Sequence, residues 1–453
     1  MNPNPLPVLA AHAAGWRDRP WPAGLEHHAR RALLDWFAAT LPGTVRPPAT
    51  LMAAALADER GEGRAVCYVD GRRGSARHAA LLNAVASHAV EFDDIHRDSG
   101  LHPGSPTVSA ALAVAQAQGA GMDALLRAMA AGYEVGGRIA LAIQPSHYRY
   151  WHTTATVGTI AAATAAALLL GCDTTRLAHA ISLSATMAGG LQQAFRGEGM
   201  SKPLHPGHAA MAGILAARSA AAGVTGAPDV LHGRAGFAAA TSEDAGKWER
   251  ALDGLDEHFV IGAITFKNHG CCGHIFPALD GMIALRERRP FRPEEVVSLH
   301  IAGYRATAEM CDRPAVSTEQ EARFSAQFCV ATLLHHGAVR LDAFSAERLS
   351  DPALHAFMPK VSVSLAPDLA DAYPRRRAAR LRLVLADGTI IEHEQPIRKG
   401  DPEDPLTDAE LDAKFHELAE PVIGHSAATA LRRMVRDGEA LPGILGEEAS
   451  AAP

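Results

Sequence analysis

The chain has 453 residues, 48% of them hydrophobic, and sets 43 Lys and Arg against 50 Asp and Glu for a formal net charge of −7. Single cores stop growing near roughly 250 to 300 residues, so two or three domains are expected, and with no long run of one sign the charge leaves no footprint for nucleic acid. The six cysteines show no CxxC pair and no zinc-type spacing, which predicts reduced thiols in a cytoplasm rather than a disulfide framework.

In chain order, the opening MNPNPLPVLAAHAAGW lacks the basic region of a secretory signal. From about residue 24 to 260 apolar residues recur at helical spacing among abundant alanine. HHARRALLDWFAATL, ARHAALLNAVASHAVEFDD, TVSAALAVAQAQG, MDALLRAMAAGYEVGGRIALAI and HAAMAGILAARSAAAG each predict a helix whose small-residue face suits close packing in a bundle. Thr153 to Gly171 approaches the length of a membrane span, yet it is mostly alanine and threonine with His152 at its head, so a buried helix is expected. The texture changes after Lys267: EEVVSLHIAGY, PKVSVSLAPD and RLRLVLADGTIIEHE alternate with period two, and Asp387-Gly388 marks a hairpin. Helical QEARFSAQFCVATLLHHG lies among them, which predicts a small α+β domain. Beyond the linker prolines Pro402 and Pro405, Thr407 and Glu410 form a capping box that returns the chain to helix, and a loose tail is expected after about Asp437.

The densest chemistry is EFDDIHRDSGLHPGSP, residues 91 to 106. Placed on the end of a helix beginning near Arg77, Glu91, Asp94 and Asp98 share one face at i, i+3 and i+7. Three acids there oppose the macrodipole, so helix stability alone does not account for them. A solvated acidic helix end is one reading. A magnesium-diphosphate site of the DDxxxD type, from Asp93, Asp94 and Asp98, is another, weakened by the lack of a second motif and by 5% aromatic content. Acid/base chemistry is the third. It gains from His102 in LHPG, His152 in YWHTT, Lys202 in GMSKPLHPGH with Arg196 before it, and Lys267 and His274 in FKNHGCCGH, all at element junctions where helical scaffolds build pockets.

Taken in order, HAVEFDDIH…HPGSPTVSAALAVA, GYEVGGRIALAI, WHTTATVGTIAAA, GMSKPLHPGHAA, FKNHGCCGHIFPALDG, RFSAQFCVA and GDPEDPLTDAELDAKF resemble the landmarks of the MmgE/PrpD family over about residues 25 to 435. The resemblance implies a mainly α fold: a large all-helical domain from residues 1–265 and 398–453, with a smaller α+β lid domain, 266–397, inserted. It further implies a homodimer, no metal or organic cofactor and a small polycarboxylate substrate, while the charge pattern and the buried-helix reading of Thr153 to Gly171 predict no nucleic-acid or membrane partner. The matching site positions are Glu91, Asp94, His102, His152, Lys202, Lys267 and His274. Lys202, Lys267 and Arg196 are then expected to hold substrate carboxylates, while His102 and His152 handle protons and Glu91 or Asp94 sets their state.

Three departures bear on the reaction. Glu91 stands where the family usually has Asp, Ile95 where it often has Thr, and Phe328 where the FSxxY pattern has Tyr, and the loop from Ile95 to His102 is one residue longer than in cis-aconitate decarboxylases. A site that grips a hydroxyl discriminates strongly on it, so these changes weigh against that decarboxylation. The expected reaction is dehydration of a 2-methylcitrate-like hydroxy acid. The alternatives are an iminodisuccinate-type epimerase, a cis-aconitate-type decarboxylase and a family member that binds a polycarboxylate without turning it over.

Overall fold

A computed structural model describes residues 4–195, 199–373 and 375–445. It divides into two compact units. The first comprises the residues up to Thr265 and those from Thr407 on, the second Phe266–Leu406. The second boundary falls at Leu406 rather than at 397 because the intervening residues bond within the second unit. Arg398 pairs with Asp401, Lys399 N–H donates to Asp280, and Phe266 N–H donates to the Gly400 carbonyl.

The first unit is an array of helices, the principal ones being Leu25–Thr44, Ala76–His88, Gly104–Gln118, Met122–Ile143, Thr153–Leu169, Thr174–Met187 and Ser201–Ala221. Thr153–Leu169 is its central rod, packed against Gly104–Gln118, Met122–Ile143, Thr174–Met187 and Ser201–Ala221. Small residues make that crowding feasible. A Cβ on Gly213 would lie 2.6 Å from the Ala162 Cβ and 2.7 Å from the Ala163 amide nitrogen, so only glycine admits the neighbouring backbone there. The rod's buried threonines return their hydroxyls to the preceding turn, Thr159 to Ala155 O at 2.7 Å and Thr164 to Ile160 O at 2.9 Å, which satisfies polar groups that burial would otherwise penalise. Among the described residues no helix is long and apolar enough to cross a membrane.

Two details of the first unit differ from the sequence reading. An antiparallel hairpin, Ala65–Cys67 with Arg72–Gly74, interrupts the helical half; its signal was Asp70-Gly71 behind a short β-rich run. And the helix expected to run through the acids stops at His88, because Ala89 N–H turns back to the Ala86 carbonyl and Glu91 takes a left-handed backbone (φ 60°). Glu91 and Asp94 therefore do not share a helix face. The C-terminal return begins with the Thr407–Glu410 capping box and packs Asp408–Ile423 on Leu25–Thr44. The tail is tied down as far as Pro442, whose carbonyl accepts from Gln116 at 2.7 Å and Tyr68 at 3.2 Å; from residue 446 on it lies outside the described residues.

The second unit carries a four-stranded sheet in the order Val361–Leu365, Val296–Gly303, Ala379–Leu385, Ile390–Gln395. The first pair is parallel and the others antiparallel, with the hairpin closing at Asp387-Gly388, where Gly388 has φ 82°. Alternate strand residues Leu299, Ile301, Leu381 and Leu383 join the helices Phe276–Arg288 and Ala326–His336 in one apolar core. None of the six cysteines forms a disulfide, and all are buried.

Candidate active site

The irregular segment after His88 is an N-terminal cap for the next helix. Asp94 Oδ1 accepts the Gly104 amide at 2.9 Å, and Asp93 Oδ2 accepts the Ser105 hydroxyl at 3.0 Å. Both carboxyls are buried at the positive end of the Gly104–Gln118 dipole, the opposite electrostatic situation from the helix C-terminus the sequence suggested. Gly104 leaves room for this: a Cβ there would meet Asp94 Oδ1 at 2.6 Å and the Tyr133 hydroxyl at 3.0 Å.

The neighbouring aspartates do different work. Asp94 also accepts from the Tyr133 hydroxyl at 2.8 Å, and burial, with Asp35 and Asp93 nearby, pushes its carboxyl up to about 8. It is a neutral acid at pH 7. Asp93 faces imidazoles instead: its Oδ2 is 2.6 Å from His88 Nδ1 and 3.1 Å from His102 Nδ1. Glu91 or Asp94 was expected to set the state of His102 and His152; the carboxylate found against His102 is Asp93. Asp98, the third acid of the DDxxxD pattern, lies at the surface near Arg97, so those three carboxylates share no environment.

His152 caps the central rod; its amide donates to the Gly190 carbonyl at 2.9 Å, and its buried ring stacks on His88 with centroids 5.5 Å apart at 28°. His102 meets His88 edge-on at 5.0 Å, and His205 lies beyond His152 with Nδ1 atoms 3.0 Å apart. Four imidazoles thus form one contiguous group. Burial, reinforced by His88 and Lys202, holds His152 well below the ordinary histidine range, and the same causes push His205 down to about 4. Lys202, in the first turn of Ser201–Ala221, forms a buried ion pair with Glu91. The left-handed backbone of Glu91 is unusual for a residue with a side chain and is the kind of strain that clusters at functional sites.

Behind this layer Lys414, returning from the C-terminal segment, reaches Asp35 at 2.6 Å and the Phe92 carbonyl at 3.0 Å. It anchors the backbone of the acidic loop. His88, Asp93 and His102 bring their ligand atoms within 4.8 Å of one another, as do His416, Glu420 and His425 nearer the surface. At the buried trio, Asp93 Oδ2 is already engaged by imidazole and hydroxyl donors at hydrogen-bond distances, the pattern of a hydrogen-bonded carboxylate.

Of the residues expected from the sequence, Glu91, His102, His152 and Lys202 come together in the first unit, with Asp94 on the far side of the same loop. Lys267 and His274 belong to the second unit, and Arg196 lies outside the described residues. Lys267 is buried. His274 Nδ1 bonds the Tyr304 hydroxyl at 2.8 Å, and burial together with Arg377 and Arg398 pushes its pKa down to about 3. Tyr304 stacks on Tyr373, over which Arg377 sits, so the second unit has a cation-rich, aromatic corner of its own. The sequence reading missed His88, Asp35, His205 and Lys414. Three lie inside the quoted landmarks HAVEFDDIH, GMSKPLHPGHAA and DAKF, where residue type alone gave no role; Asp35 had no such signal.

Residues 8–249 match the MmgE/PrpD N-terminal domain and residues 269–439 the MmgE/PrpD C-terminal domain. The chain belongs to the MmgE/PrpD family. Among its relatives, a cis-aconitate decarboxylase-like protein of Aspergillus oryzae is 30% identical over 433 residues, covering 89% of this chain and 88% of the relative. Human cis-aconitate decarboxylase is 26% identical over 378 residues (80% and 77%), and that of Aspergillus terreus 28% over 385 (79% and 77%). Within this MmgE/PrpD protein two of the three departures, Glu91 and Ile95, belong to the first unit and Phe328 to the second. Glu91 pairs with Lys202, Ile95 bridges to Thr265 through its backbone, and Phe328 is fully buried in the core of the second unit near Phe344.

Proposed function

We propose that this protein is a lyase acting on a small di- or tricarboxylic acid, and that the imidazole group around His88, His102 and His152, with Lys202 beside it, carries the proton chemistry. The supporting observation is the buried arrangement itself: His88 and His102 held against a single aspartate, His152 stacked on His88, and an ammonium ion-paired with Glu91. Such a site can supply a proton to, or take one from, a carbon next to a carboxylate, and positioned acid/base groups accelerate such steps by about 10² to 10⁴. An incoming substrate carboxylate competes with Glu91 for Lys202 and shifts that ion pair toward the substrate.

The relatives' names favour decarboxylation of a cis-aconitate-like acid. The bond to one carboxyl carbon breaks, carbon dioxide leaves, the electron pair stays on the carbon framework, and an imidazolium or ammonium delivers the proton that completes the product. The second reading is dehydration of a 2-methylcitrate-like hydroxy acid, favoured by the longer Glu91 and by Ile95 in place of a hydroxyl. There a base removes the proton next to a carboxylate and hydroxide departs with a proton from the site. Proton NMR in deuterated buffer separates the two over a panel of cis-aconitate, 2-methylcitrate, citrate and iminodisuccinate. Loss of cis-aconitate with release of carbon dioxide supports the first reading, and an alkene formed from a hydroxy acid supports the second. Deuterium entering the α-carbon of iminodisuccinate without alkene would point to an epimerase and overturn both.

A further inference from the structure

We propose that His88 is a positioning residue: clamped by Asp93, it forms the shared wall on which His102 and His152 are set, fixing their ring orientations and which of them carries a proton. The inference rests on the lyase reading of the same site and gives His88, one of that imidazole group, a role in setting the other two rather than in touching substrate.

The argument begins with placement. His88 is the last residue of Ala76–His88 and has no exposed surface. Its Nδ1 lies 2.6 Å from Asp93 Oδ2, so Nδ1 carries a proton and donates it, which fixes the tautomer and the ring plane. Asp93 is itself held by the Ser105 hydroxyl at the start of the next helix, so the clamp is rigid at both ends. One edge of the His88 ring then meets His102, at 75° between planes, while a face lies against His152 at 28°. The His88 Nε2 is buried and has no hydrogen-bond partner among the described residues. Leaving a buried polar atom unsatisfied costs about 1 to 3 kcal/mol, a penalty set against the bond that Nδ1 makes to Asp93.

The electrostatics agree. The groups near His88 are Asp93 from the loop, His102 before Gly104–Gln118, His152 at the head of the central rod and His205 from Ser201–Ala221, while Lys202, paired with Glu91, lies near His152 and His205. His88 and Lys202 both act to keep His152 and His205 uncharged, while Asp93 is the carboxylate placed against His102 and His88. The carboxylate and the ammonium are thereby set on different members of the imidazole group, Asp93 against His88 and His102, Lys202 beside His152 and His205.

Two substitutions separate the clamp from the wall. His88→Asn keeps a donor near the Nδ1 position for Asp93 and removes the ring; His88→Phe keeps a ring and removes donor and charge. Both are expected to lower turnover at least tenfold with little change in KM. In His88→Asn the titration midpoint of the His152 ring, read from its carbon-bound proton resonance, should rise, and the acidic limb of the kcat/KM profile should move to higher pH with it. Wild-type turnover in both variants with an unmoved His152 midpoint overturns the proposal. In the wild-type protein, long-range proton-nitrogen spectra should show His88 protonated at Nδ1; an Nε2–H tautomer also overturns it, whether or not the variants fold. If the wild type is silent on the whole substrate panel, the lyase reading fails, and the His152 midpoint and His88 tautomer still decide the role of His88.

Discussion

Lys414 and Asp35 offer the sharpest test of how the acidic loop is held. Both side chains are sealed from water, at 2% and 0% exposure, and their charged atoms are 2.6 Å apart. At an effective dielectric of about 20, that distance gives roughly 6 kcal/mol of attraction, and removing the two ions from water offsets most of it. The asymmetry lies in breaking the pair. Lys414→Met fills nearly the same volume but leaves the Asp35 carboxylate buried and takes a donor from the Phe92 carbonyl, so it should cost about 3 to 5 kcal/mol. Asp35→Asn combined with Lys414→Met replaces the pair with neutral groups and should come back to within about 2 kcal/mol of the wild type, a coupling energy within the range for residues in contact. Urea unfolding followed by tryptophan fluorescence suits the purpose, since Trp36 is next to Asp35 and its indole N–H bonds Ser109 at 3.1 Å. A Lys414→Met cost under about 1 kcal/mol, or a double variant no more stable than the single one, would refute the reasoning.

Asp94 should make stability depend on pH in the direction opposite to an ordinary salt-bridged carboxylate. Its pKa rises from 3.8 to about 8 on folding, so between those values the native state holds a proton the unfolded chain has lost; the contribution is full below about 3.8 and is lost as pH climbs toward 8. Asp94→Asn should flatten the unfolding free energy across pH 5 to 7.5 by up to about 1.4 kcal/mol per pH unit, and parallel slopes in variant and wild type would contradict the shift. Gly104→Ala forces a methyl group against Asp94 and Tyr133 and should destabilise by about 1 to 3 kcal/mol in the same unfolding assay. Lys202→Ala and His152→Ala should each lower turnover by about 10² to 10⁴ with the circular dichroism spectrum unchanged, and near wild-type activity in either would remove that residue from the site.

What the sequence made legible follows from range. Periodic alanine and leucine mark helices locally, Asp387-Gly388 marks a hairpin locally, and Thr407 with Glu410 is a three-residue signal; all three are found where expected. The end of the helix at His88 escaped because Phe92 is buried after the chain has left the helix, so the apolar stripe seemed to continue. The same oversight reversed the meaning of the acids. Three carboxylates on a helix C-terminus are an electrostatic anomaly, but one of them, Asp94, turns with Asp93 onto the next helix's N-terminus as a cap, and the anomaly was itself evidence that the helix had ended. Site residue types were legible because imidazoles and ammoniums gathered at junctions; pairings were not, since Glu91 meets Lys202 across 111 positions and Lys414 meets Asp35 across 379. Asp93 and Asp94 show the limit most clearly. They are identical in type and adjacent in sequence, yet one faces imidazoles and the other a tyrosine hydroxyl and a backbone amide, and only the direction in which each side chain leaves an aperiodic loop distinguishes a proton partner from a neutral acid.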